Sequence, residues 1–285
     1  MKDSDKKKLL ADNYIEMKQE GKKIAMVTAY TYYQAMAAED AGVDIILVGD
    51  SLGMVELGYD STVPVTMEDM MIHLKAARRG APNTNVVVDM PFMSFNVSAE
   101  KAIENAGLLY QKGFADSVKI EGGTEYSGII NSVYKAGIPV CAHIGLTPQT
   151  SALLGGFKVQ GKTLDAAKKL IDDAIAVQEA GAFMVVVEAV PASLSAIITK
   201  KLSIPTIGIG AGAECDGQVL VFHDMLGLYK KFTPKFVKVY ANLYEDIEKA
   251  IGEYVKDVKK GTFPEDKHSF TMKKEIADKL NEVSE

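Results

Sequence analysis

The sequence is short of cysteine, of positive charge and of long apolar runs, and each shortage removes a class of protein. Cysteine occurs twice, at Cys141 and Cys215, with no C-x-x-C spacing. Two such distant thiols cannot make a disulfide scaffold or a zinc finger, and they fit a reducing compartment. The 32 Lys and Arg are outnumbered by 38 Asp and Glu, giving a net charge of −6. The chain therefore has no general attraction to nucleic acid or to an anionic membrane. Its longest uncharged stretch, 136–157, is broken by Pro139, His143, Pro148, Gln149 and four glycines. A spanning helix needs about 20 predominantly apolar residues, so this stretch is not one. The N-terminus, MKDSDKKK, leads into mixed polar residues with no apolar signal region, and the Lys6–Lys8 run reads as a solvated helix start. A cytoplasmic protein with neither nucleic-acid nor membrane partners is expected.

What is present is an ordinary globular composition, 47% hydrophobic and 25% charged over 285 residues, which excludes a disordered chain. Single α/β barrels often run to about 250 residues, so one domain suffices. Short, mostly β-branched runs fall at 24–29, 43–48, 85–89, 116–120, 138–142, 183–187 and 204–209, with 218–222 a weaker eighth. They read as parallel strands buried on both faces. Segments of helical period lie between them. Leu164, Ala167, Ile171, Ala174 and Ile175 share one helix face beginning near Thr163. Thr66 with Asp69 forms a capping-box pattern, and Ser98 is placed to cap the next helix. Gly42, Gly113, Gly137 and Gly181 each follow a helical segment, where glycine supplies the left-handed stop.

Eight βα repeats without a composition break predict one (β/α)8 TIM barrel over 1–285, a doubly wound open sheet being the alternative. A helix at 10–21 precedes the barrel. A helical extension at 234–260, with Phe236, Val239, Tyr240, Leu243, Ile247 and Ile251 at helical spacing, follows it, and 271–285 is a charged tail.

In such a barrel the chemistry sits where the strands end. The second run ends in Asp50 and Ser51, the third in Asp89, the fourth in Lys119 and Glu121, the fifth in His143 and the sixth in Glu188. Like charges that close repel unless something positive sits among them. Carboxylate oxygens suit Mg²⁺ or a similar hard ion, which makes Asp50, Asp89 and Glu121 the candidate metal site. The plainer alternative is that each acid caps a helix or pairs with a rim lysine. Lys119 and Glu121 are two apart, so on a strand both point into the mouth. Lys119 either forms a Schiff base or holds a carboxylate, and ligands for a metal nearby favour the second. Glu188, after an apolar run and with no cation near it in sequence, is the candidate general base. His143 either donates to a substrate oxygen or is satisfied in the core. The run 207–212, IGIGAG, lacks the order of a dinucleotide loop, so tight turning is the simpler account.

Ten segments then go further: 48–54 VGDSLGM, 60–66 DSTVPVT, 78–82 RRGAP, 89–93 DMPFM, 118–123 VKIEGG, 143–149 HIGLTPQ, 158–161 KVQG, 207–212 IGIGAG, 216–218 DGQ and 268–270 HSF. In this order they resemble the ketopantoate hydroxymethyltransferase family, from about residue 10 to Phe270. The resemblance implies a (β/α)8 barrel and a Mg²⁺-dependent, aldol-like transfer of a one-carbon unit. The donor is 5,10-methylenetetrahydrofolate, a consumed cosubstrate, and the acceptor is α-ketoisovalerate, giving ketopantoate in pantothenate and coenzyme A biosynthesis. By position it assigns the metal to Asp50, Asp89 and Glu121, substrate contacts to Ser51, Asp89 and Lys119, and proton removal to Glu188. Asp50 and His143 complete the expected substrate-binding set. Family members are cytoplasmic and commonly decamers built from pentameric rings. The tail after Phe270, where many members stop, is a departure that bears on subunit packing. Two rivals remain: another Mg²⁺-dependent barrel lyase acting on a 2-oxo acid, and a non-catalytic barrel that binds a small acid.

Overall fold

A computed structural model describes residues 8–284; residues 1–7, which hold most of the lysine run and the start of the region read for a signal segment, lie outside it. Eight parallel strands close on themselves in sequence order: β1 (Ile24–Thr28), β2 (Ile45–Val48), β3 (Asn85–Asp89), β4 (Ser117–Glu121), β5 (Val140–Gly145), β6 (Met184–Glu188), β7 (Thr206–Ile209) and β8 (Gly217–Leu220). The closed ring, with β8 hydrogen-bonded to β1, excludes the open sheet. All eight expected runs form strands with shifted ends: β2, β5 and β7 start two residues later than expected, β4 and β6 end one residue later, β8 stops at Leu220, and β5 continues past His143 to Gly145.

Alternation along each strand sorts the core into two parts. Val88, Val118, Ile120, Ala142, Val185 and Val187 face outward into a layer shared with the helices. Val87, Cys141, Met184, Val186, Ile207 and Val219 face inward and fill the barrel. The free cysteines are buried in this packing. The expected N-terminal helix, α1 (Ala11–Gln19), closes the barrel floor: Tyr14 is fully buried, its ring 6.3 Å from that of Phe183, and its hydroxyl donates to the Asp44 carbonyl.

The connecting helices are α2 (Tyr32–Ala41), α3 (Leu52–Val55), α4 (Met67–Gly80), α5 (Ala99–Gly113), α6 (Ser127–Lys135), α7 (Leu164–Glu179) and α8 (Ala192–Lys201). Thr66 and Asp69 form the expected capping box on α4, and Ser98 and Thr163 cap α5 and α7. On α7, Ala174 is buried and Ile171 packs on the core as expected, while Leu164 in the first turn is exposed. Gly42, Gly137 and Gly181 take the left-handed conformation after their helices. Gly113 does not: it is the last residue of α5, and Phe114 takes the left-handed position with φ 62°. Gly113 is needed for room, since a Cβ there would lie 2.3 Å from Leu74.

The βα rhythm fails once. Residues 210–216 join β7 to β8 with no helix between them. After β8 come α9 (Phe222–Met225), α10 (Leu243–Lys260) and α11 (Lys274–Ser284), so the 271–285 tail is largely helical. The helix expected from 234 starts only at Leu243. Pro234 lacks an amide hydrogen, and the Tyr240 and Leu243 amides instead donate to the Met225 and Leu226 carbonyls, folding the segment back onto α9. α10 leaves Ile247, Ile251, Tyr254 and Val258 exposed at three- and four-residue spacing. Among the described residues no helix is long and apolar enough to cross a membrane.

Candidate active site

Asp89, Lys119, Glu121, His143 and Glu188 alternate in sequence with Val88, Val118, Ile120, Ala142 and Val187, which the outer layer buries. The same alternation that builds the core therefore turns every one of them inward. The register completes the placement, setting Asp89 beside Lys119 and Glu121 beside His143 across neighbouring strands. Asp50 and Ser51 join them from the turn after β2. The expected site residues all line one continuous cavity of about 1480 Å³, which opens at the mouth and extends towards β8 and β1.

Lys119, buried, is the hub. Its Nζ lies 3.2 Å from Asp89 Oδ1, 3.5 Å from Glu121 Oε1 and 3.1 Å from His143 Nδ1. Burial works against its charge, but Asp89, Glu121 and Asp50 outweigh that and lift its pKa. Burial also raises Asp50 well above the usual carboxylate range, helped by Asp89 and Glu121. Burial raises Asp89 too, against the opposing pull of Lys119. Glu121 is buried as deeply, yet Lys119 and His143 outweigh burial and hold it below the usual range.

His143 resolves between its two expected roles. Nδ1 is 3.2 Å from Glu121 Oε1, and Nε2 is 3.1 Å from Glu188 Oε2, close but out of hydrogen-bonding alignment. Burial and Lys119 disfavour the imidazolium, but the two glutamates prevail and bring its pKa to about 9. With the ring protonated, Nδ1 donates to Glu121, and the histidine is a charged link between two acids. Glu188 has no cation near it in sequence, as read above, but in space it has one: His143 reaches it from β5. Glu188 stays partly open to the cavity, its side chain 16% exposed. Gly145, with φ 96°, lets β5 end against it, because a Cβ there would sit 2.3 Å from the Glu188 carbonyl oxygen.

Sequence reasoning missed two contributors. Gln149 donates from Nε2 to Asp50 Oδ2 at 2.8 Å and from its backbone to Glu121 Oε2 at 3.1 Å. It closes the HIGLTPQ segment, whose glutamine carries no charge to draw attention. Tyr30, fully buried just after β1, places its hydroxyl 2.8 Å from Ser51 Oγ, and its ring stacks on His223. A tyrosine beside a strand reads as core, and only the hydrogen bond reveals more.

The donors fit a small hard cation, though not as three equal ligands. Glu121 has Oε1 facing His143 and Lys119 and Oε2 bonded to Gln149. Among the described residues no three His, Cys, Asp or Glu side chains converge to hold an ion alone. Asp50 and Asp89 are the less committed pair: the Asp50 amide donates to Asp89 Oδ2 at 3.0 Å, and Asp89 Oδ1, though 3.2 Å from Lys119 Nζ, is buried and has no hydrogen bond among the described residues. Mg²⁺ is commonly held by one or two carboxylates, the rest being water and substrate oxygens.

A closed parallel barrel with buried acids, a lysine and a histidine converging at its C-terminal mouth is built as a barrel enzyme for a small polar substrate. A sequence model described as ketopantoate hydroxymethyltransferase matches residues 8–266. The 3-methyl-2-oxobutanoate hydroxymethyltransferase of Carboxydothermus hydrogenoformans is 57% identical over 93% of this chain and 96% of its own length. That of Heliobacterium modesticaldum is 55% identical over 95% and 98%. The chain belongs to the ketopantoate hydroxymethyltransferase family. Among solved structures it is similar to a phosphonopyruvate hydrolase bound to oxalate and Mg²⁺, with TM-score 0.58 and 13% identity over 97% of this chain and 96% of that one. A 2,3-dimethylmalate lyase of the PEP mutase/isocitrate lyase superfamily gives TM-score 0.57 and 14% identity over 96% and 99%. At those identities the likeness concerns the fold.

Proposed function

We propose that this enzyme transfers a hydroxymethyl group from 5,10-methylenetetrahydrofolate to α-ketoisovalerate, giving ketopantoate, with Mg²⁺ as its resident ion. The observation that carries the proposal is the convergence of Asp50, Asp89, Lys119 and the Glu121–His143–Glu188 chain on one cavity, in a member of this family. Asp50 and Asp89 would hold the ion, with Glu121 behind them, fixed by protein donors. When bound, Mg²⁺ supplies Lewis acidity to the keto acid's oxygens.

The remaining work belongs to side chains. Lys119 faces the negative charge that builds on the keto oxygen as the neighbouring C–H is lost. Ser51, steadied by Tyr30, and Asp89 orient the acid. Glu188 takes the C3 proton, and the imidazolium of His143 stabilises the orientation of its carboxylate. Water adds to the folate's methylene carbon and both of its C–N bonds break, the two nitrogens taking water's hydrogens, which releases formaldehyde and tetrahydrofolate. The C3 carbon then bonds to the formaldehyde carbon, and the new alkoxide takes the proton that Glu188 removed.

Several finer assignments belong to the same proposal: a single barrel domain over 1–285, a cytoplasmic location and a homo-oligomer, the decamer being the form the resemblance implies. The exposed apolar face of α10 supports association between copies. The alternative, a different metal-dependent barrel lyase acting on a 2-oxo acid, needs no folate. Purified protein with α-ketoisovalerate, Mg²⁺ and the folate should form ketopantoate, and should stop when either EDTA is added or the folate omitted. Turnover of a 2-oxo acid without folate would select the lyase reading.

A further inference from the structure

Gln149 takes no part in the steps above, yet its polar atoms are shared among the acids of the mouth. It lies in the single 3-10 turn Pro148–Thr150 after β5 and is 5% exposed. Its neighbours fix the orientation of its amide. Asp50 Oδ2 at 2.8 Å and the Met90 carbonyl at 2.9 Å both accept hydrogen bonds, so the atom facing them is the NH₂ group. The backbone N–H donates to Glu121 Oε2. One residue of the fifth βα connection thus tethers the ends of β2, β3 and β4. Its remaining side-chain polar atom, Oε1, is buried and has no partner among the described residues. An amide that serves only to tie loops together has no need to leave a buried acceptor open.

We propose that Gln149 is a positioning residue for the divalent ion: its NH₂ fixes the Asp50 carboxylate, its backbone N–H holds Glu121 back, and its Oε1 is the acceptor left for a bound water. Groups that orient a ligating carboxylate typically change metal affinity without touching the metal. This inference rests on the reading of Asp50 as an ion ligand, and its test separates the two.

The probe is Mn²⁺ binding to the full chain, followed by loss of the free-ion electron paramagnetic resonance signal, without substrates. Wild type should bind. Gln149→Met, similar in length but without donors or acceptor, should weaken binding about 10- to 100-fold. Gln149→Asn, one methylene shorter and still polar, should lose affinity in the same direction and serves if the Met variant does not fold. In an Asp50→Asn background, measured at higher Mn²⁺, the Gln149→Met change should cost less than roughly twofold more, since the carboxylate it orients is gone. A folded Gln149→Met protein binding within roughly twofold of wild type would overturn the proposal, as would a full additional loss in the Asp50→Asn background, which marks a merely structural residue. No Mn²⁺ binding by wild type would overturn the ion-ligand reading itself, and this inference with it.

Discussion

The side of the mouth built by β2 to β6 and the side built by β7, β8 and β1 share one strand geometry but differ in content. On the first, acids, a lysine and a histidine are buried among one another, and each strand is followed by a covering helix. On the second, β7 passes to β8 without a helix and Gln218 on β8 is exposed. Along these strands and the loop between them, Gly210, Gly212 and Gly217 stand where a Cβ would collide with neighbours. The charged side is costly to bury and repays that cost only through its pairings, which is the mark of a site built for chemistry. The glycine side holds backbone close and keeps space open, and the cavity extends along it. One half of the ring supplies reactive groups, and the other supplies room.

Substitutions on the two sides should therefore fail differently. Glu188→Gln, on the charged side, keeps shape and removes the basic oxygen; ketopantoate formation should fall by roughly 10²–10⁴-fold while the protein stays folded. Lys119→Met removes the cation among three acids. Without divalent ion it should cost about 3–5 kcal/mol in urea unfolding, part of which Mg²⁺ restores. On the glycine side, Gly217→Ala puts a Cβ 2.4 Å from the Ile24 carbonyl oxygen where β8 closes onto β1. It should cost about 1–3 kcal/mol in the same assay whether or not Mg²⁺ is present. If Mg²⁺ rescued both variants alike, the division between the sides would fail.

The smallest effect concerns Asp224, which faces the cavity from the β8 side and which burial lifts to about 6. An acid whose folded pKa is raised costs stability once it ionises, so the cost appears as pH rises from about 4 through 6. Asp224→Asn should raise Tm at pH 8 and leave it unchanged at pH 4.

The charged side was legible in the sequence and the other was not, for a physical reason. Asp50, Asp89, Glu121 and Glu188 announce themselves by ending apolar runs, where period-two alternation and barrel topology leave a charged side chain only the mouth. What Glu188 meets there is a matter of register: His143 reaches it from β5, and no local pattern encodes that contact. Gln149 and Tyr30 were passed over because a neutral amide or phenol near a strand end reads as packing. Helical spacing at Phe236, Val239 and Tyr240 misled, since Pro234 and the bonds to α9 decide that segment's backbone. Gly113 looked like a helix stop because close approach and left-handed turning select the same residue.

The central claim, that Glu188 takes the C3 proton of a keto acid held beside Lys119 and the ion, is tested most directly in the absence of folate. Proton NMR of α-ketoisovalerate in D₂O with enzyme and Mg²⁺ reads proton removal alone. Wild type should exchange the C3 hydrogen, EDTA should stop it, and Glu188→Gln should slow it by the same roughly 10²–10⁴-fold as product formation, with keto-acid and Mg²⁺ binding retained. Exchange at the wild-type rate in Glu188→Gln would contradict the account and move the base elsewhere, with His143 the first residue to examine.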